Sequence, residues 1–123
     1  MAACEVVVVL ITCPEDDHVA LASSLVDERL AACVHVLPAG DSIYRWGGAV
    51  ERARERQLIV KTTTQQVSRL RDRVQELHPY ETPEFLCLPV SGGDDRYVAW
   101  VHAMVGGTET GDDAPPSDVT PGD

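Results

Sequence analysis

Two hydrophobic periods alternate along the chain. Residues 4 to 12, CEVVVVLIT, are β-branched and continuously apolar, which predicts a short strand covered on both faces. Thr12 and Glu15 then stand at capping-box spacing around Pro14, and Asp16 and Asp17 suit the positive end of a helix. Val19, Ala22, Val26 and Leu30 form an apolar stripe that predicts a helix from Glu15 to about Leu30. A second strand is expected from Cys33 to Leu37, interrupted at Pro38-Ala39-Gly40 and resumed from Ser42 to Trp46. Gly47-Gly48 is a two-residue hairpin turn, after which Ala49 to Thr62 returns as a third strand. The first half of that return, VERARER, has little to bury, so the hairpin is expected to reach beyond its domain. Val67, Leu70, Val74 and Leu77 predict a second helix over residues 65–77, stopped by Pro79. Residues 85–90 read as a fourth strand, and Tyr97, Val98, Val101 and Met104 as a short closing helix.

The order βαββαβ predicts an α+β fold of the ferredoxin-like kind, with two helices on one face of an antiparallel sheet. A long hairpin joins its second and third strands, and a short C-terminal helix follows. Strand residues alternate between faces, yet Val6 to Ile11, Leu58 to Val60 and Phe85 to Leu88 are apolar on both. At about 25 cal/mol per Å², leaving the second face in water would forgo several kcal/mol and expose an aggregation-prone patch. Self-association through that face is therefore expected, with the hairpin clasping a neighbour.

Composition narrows the class. A chain of 123 residues holds one domain, expected over residues 1–105. Residues 106–123, with Val119 the single branched aliphatic, are expected to be an acidic disordered tail. Net charge is −10, of which Glu109, Asp112, Asp113, Asp118 and Asp123 supply half. That sign disfavours nucleic acid and anionic membrane surfaces as partners. No apolar run is long enough to cross a bilayer, and no basic residue precedes the first one as in a secretory leader. Cys4, Cys13, Cys33 and Cys87 show no C-x-x-C spacing, so a cytoplasmic protein with reduced thiols is expected.

Candidate chemistry concentrates in HPYETPE, residues 78 to 84. Its prolines make a stiff corner between helix and strand, a mechanical role that needs no ligand. The same stiffness pre-sets His78, Tyr80, Glu81 and Glu84 on one loop. Imidazole and carboxylate together can take a transition metal or hydrogen-bond a small ligand at little entropic cost. Cys13 could add a thiolate, a set suited to copper(I) or zinc, while a small buried hydrophobe is the other reading of both Cys13 and Cys33. His18, His35 and His102 read as structural. No enzymatic device is visible: TCPEDD offers no cationic phosphate cradle, no G-x-x-x-x-G-K-[ST] is present, and no third group orients Cys13 and His78 for nucleophilic catalysis. A binding protein is expected rather than an enzyme.

Taken in order, VVVLITCPEDD, LVDERLAACVHVLP, SIYRWGGAVE, QLIVKTT, LHPYETPEFLCLPV and YVAWV resemble the CutA family of divalent-cation tolerance proteins over about residues 5 to 102. The resemblance implies a homotrimer of ferredoxin-like subunits, similar in architecture to PII signalling proteins, with interlocking hairpins. It implies that Tyr44, Trp46, Lys61, His78, Pro79, Tyr80, Glu81, Pro83 and Glu84 line a cleft between subunits. It also implies that copper or another divalent cation binds there, with His78 and Cys13 as metal candidates and Tyr44, Trp46, Lys61, Tyr80, Glu81 and Glu84 as ligand-binding ones. Copper-binding bacterial members carry a cysteine late in the first strand and a histidine pair before Pro-Tyr, where this chain has Ile11 and Leu77-His78. The alternative is a PII-like signalling or interaction trimer with a nucleotide, another small ligand or a protein partner in the cleft.

Overall fold

The two apolar runs meet at the centre of the sheet. In the computed structural model, which describes residues 4–106, β1 (Val6–Pro14) pairs antiparallel with β4 (Ala49–Thr63) from Val6↔Thr63 to Pro14↔Glu55. The expected acidic tail lies, from residue 107 onward, outside the described residues. β2 (Cys33–Val36) flanks β4, and β5 (Leu86–Pro89) flanks β1, giving the order β2-β4-β1-β5. The break at Pro38 separates β2 from β3 (Gly40–Trp46), which pairs with the first half of β4 as a projecting arm. Gly47 and Gly48 turn its tip at φ 58° and 83°, the positive angles that a tight hairpin requires.

The helices are α1 (His18–Asp27), α2 (Val67–Leu77, entered through a 3-10 turn at Thr64–Gln66) and α3 (Asp95–Met104). α1 is shorter at both ends than its apolar stripe suggested. At its start, pairing with β4 holds Thr12 to Pro14 extended, so the expected capping box does not form. Asp17 becomes the N-cap instead, without a side-chain bond to the helix. At its end, Arg29 adopts φ 60°, while Leu30 N–H reaches Leu25 O and Arg29 N–H reaches Val26 O, a Schellman closure made without glycine. Leu30 stays buried beside Leu25, so the stripe marks core positions beyond the helix proper.

Alternation divides the sheet into two faces. Val7, Val9, Ile11 and Cys13 of β1 and Leu58 and Val60 of β4 pack under Leu21, Leu25, Leu70 and Val74 of α1 and α2. On the other face α3 seals one end, where Val101 meets Val6 and Ala32. Beyond α3, Val8 pairs with Leu88 and Leu10 with Leu86. These two leucines remain 46% and 55% exposed respectively. The second face is thus apolar and only partly covered within one chain.

Candidate functional site

HPYETPE is fastened to the sheet at several points. Pro79 ends α2 by holding His78 extended at ψ 139°, and the His78 N–H still caps the helix through Val74 O at 2.8 Å. The His78 ring is 6% exposed. Its Nε2 lies 2.6 Å from the Thr12 carbonyl, and its Nδ1 accepts the Tyr80 N–H at 3.1 Å. Tyr80 packs on it with ring centroids 4.9 Å apart and donates its phenol to Glu55 at 2.7 Å. Gln57 donates one amide hydrogen to Ile11 O and the other to Glu84 at 2.8 Å. Gln75 of α2 donates to the Glu81 carbonyl, while the Glu81 side chain stays exposed.

Charge at the site follows from these contacts. Burial, reinforced by the bond to Glu55, pushes the Tyr80 phenol up to about 12, so it remains a donor at neutral pH. Tyr44 on the arm is close enough to add to that shift. Cys13 shares the face of Ile11, as strand alternation requires, because β1 continues through Pro14. That face is the helix-covered core, where Cys13 is 0% exposed. Burial first, then the carboxylates of Asp17 and Glu55, push its thiol up, which disfavours the thiolate a metal needs.

The fold therefore gathers His78, Tyr80, Glu84 and Tyr44, and leaves two candidates apart. Lys61 stands six residues beyond Glu55 on β4, about 20 Å along the strand, where its Nζ lies 4.0 Å from Cys33 Sγ. Trp46, 73% exposed, pairs with Ala49 at the arm tip, a similar distance in the opposite direction. Glu55 and Gln57, which hold the loop, carry no signal of that role in the sequence because their partners lie 25 and 27 positions away. A hollow of about 190 Å³ between α1 and the loop is lined by Asp17, Ala20, Leu21, Ser24, Leu77 and Pro79, and none of the ligand-binding candidates reaches it.

The metal expectation meets an obstacle in this geometry. Both His78 nitrogens already have partners, and the Cys13 sulfur faces the core. Among the described residues no three His, Cys, Asp or Glu side chains gather to hold an ion. His78 and Cys13 do not fit copper within one chain.

Comparison with known proteins places the geometry in a family. Residues 7–104 match the family model of the CutA1 divalent ion tolerance protein. The divalent-cation tolerance protein CutA of Pectobacterium atrosepticum is 46% identical over 103 residues, covering 83% of this chain and 94% of its own. The solved divalent cation tolerance protein of Thermus thermophilus superposes with a TM-score of 0.80 at 46% identity, covering 82% of this chain and 99% of the other. That of Archaeoglobus fulgidus, described as periplasmic, gives 0.75 at 31% identity over 78% and 94%. Among the described residues no helix is long and apolar enough to cross a membrane.

Proposed function

This chain belongs to the CutA1 divalent ion tolerance family, and from that premise we propose that it acts as a homotrimeric binding protein in the cellular response to divalent cations, without catalysis of its own. The observation that carries the assembly is the second sheet face, with Leu86 and Leu88 half in water beside Leu10 and Val8. Two further features support it. The strand order β2-β4-β1-β5 fits the ferredoxin-like arrangement and leaves open edges at β2 and β5, which a closed ring of copies would pair. The arm carries exposed Ile43, Tyr44, Trp46 and Val50 beyond its own domain, apolar surface that a neighbour would cover.

In this reading the cleft lies where the arm of one copy meets the HPYETPE loop of the next. Trp46 would come from one side, Tyr44, Tyr80, Glu81 and Glu84 from the other, and Lys61 from the covered face. A cation there would be held by the loop carboxylates Glu81 and Glu84, since His78 and Cys13 do not fit the role. The second reading, a PII-like trimer with an organic ligand, draws on a specific observation: the exposed arm aromatics suit stacking, whereas the soft metal donors are occupied.

Sedimentation of the purified protein tests the assembly. A species of three times 13.4 kDa at micromolar concentration is expected, and a persistent monomer removes the cleft. Calorimetric titration with copper(II), zinc and then nucleotides separates the two readings. Saturable cation binding that is lost in Glu81→Gln/Glu84→Gln supports the first, and nucleotide binding with no saturable cation supports the second.

A further inference from the structure

We infer that His78 is the latch that holds the HPYETPE loop against β1 and orients Tyr80, and that any divalent cation taken by this protein binds without it. The inference goes beyond the cleft reading and stands whether or not copies assemble.

The partners of the ring dictate its protonation. A carbonyl can only accept and an amide N–H can only donate, so Nε2 carries the hydrogen toward Thr12 O, and the lone pair of Nδ1 takes the Tyr80 N–H. A metal ligand needs an available lone pair, and the only one on this ring is already used. Moving the hydrogen to Nδ1 would set it against the Tyr80 N–H and turn the Nε2 lone pair onto the Thr12 carbonyl. Two attractive contacts would become two repulsive ones inside a 6%-exposed pocket. The second soft donor, Cys13, offers no help from the core.

What the ring does instead is mechanical. Thr12 lies two residues past the last β1–β5 pair, Leu10↔Leu86, and the imidazole engages β1 where that strand pairing has stopped. Its Nδ1 bond to the amide two residues on closes the same ring as an Asx turn, which fixes the peptide leading into Tyr80. The Tyr80 phenol then meets Glu55, and Glu84 meets Gln57, so β4 holds the far side of the loop. His78 is therefore a positioning residue for Tyr80.

Two measurements on the full chain test this. Imidazole nitrogen NMR should show His78 with a protonated Nε2 and an unprotonated Nδ1, and one equivalent of zinc should leave both resonances in place. Amide exchange at Tyr80 should speed about tenfold in His78→Ala, the loss of one hydrogen bond. It should stay within about threefold of the parent in His78→Asn, whose side-chain oxygen can rebuild the turn. Should His78→Ala fail to fold, the zinc titration and His78→Asn decide alone. Zinc-dependent movement of the His78 nitrogens, or Tyr80 exchange in His78→Asn as fast as in an unprotected amide, would overturn the inference.

Discussion

In the proposed trimer, replacing Leu86 and Leu88 together by serine should separate the subunits while leaving each one folded. About half of each leucine is still in water in the single chain. Full burial of a leucine is worth ~1.5–3 kcal/mol, so a neighbour covering the remaining half gains about 1 kcal/mol per leucine. That amounts to roughly 2 kcal/mol per subunit and roughly 6 kcal/mol per trimer, or ~10⁴-fold in the association constant at 1.4 kcal/mol per decade. Neither leucine belongs to the two buried clusters, and the cross-strand bonds of β5 are made by its backbone. The subunit's own stability should therefore change little. Sedimentation equilibrium over a concentration series, with circular dichroism on the same samples, reads both quantities. The variant should dissociate at much higher concentration than the parent while keeping its spectrum. Equal dissociation in parent and variant would refute the reasoning, because the open face would then contribute nothing to assembly.

The Tyr80 phenol gives a signature at the alkaline end. Its folded value near 12 lies above the ordinary 10, so its contribution to stability is complete below pH 10 and is lost as pH rises through about 12. Glu55→Gln should lower the late phenolate step, identified by its absence in Tyr80→Phe, without bringing it fully back to 10, since burial remains. An unmoved step in Glu55→Gln would argue against the 2.7 Å bond. Glu28 behaves in the opposite sense: the bond from Arg73, donated by Nε and Nη2, holds its carboxyl below the ordinary 4.5. Its contribution is present above pH 4.5 and is lost as pH falls through the lower folded value, so melting temperatures of the parent and Glu28→Gln should converge in acid. Parallel curves would show that the pair does not stabilise the fold. Cys13 should react with a thiol reagent only at the rate of global unfolding, as judged by mass spectrometry against denaturant, and fast labelling in native buffer would contradict its burial.

The parts of this molecule that were legible in the sequence are those decided locally or by gross pattern. Gly47-Gly48 announced the arm because both positions need positive φ. The unbroken apolar runs at Val6 and Leu58 announced the paired central strands and, through their doubled apolarity, the open face. The start of α1 was hidden because Thr12 to Pro14 obey two local instructions, cap and strand, and a partner about forty residues away on β4 decides between them. The site was legible as a loop and not as a network. His78 stood out by type, but its Thr12 partner is 66 positions distant and carries no side-chain signal at all, being a carbonyl. Glu55 sat in a stretch whose alternating charges resemble any solvated ribbon, and Gln57 opens the apolar half of the strand, where nothing marks it as a loop partner.

The length of β4 constrains how such a protein can change. One uninterrupted strand of 15 residues serves both as spine of the domain and as half of the arm. Side chains on it point alternately up and down, so inserting or deleting one residue between Ala49 and Glu55 would turn every outer position over. An insertion next to Glu55 would turn Arg54 away from the Glu15 carboxylate it now approaches. Viable arm lengths in descendants of this chain should differ by even numbers, and an odd change should come with a compensating bulge.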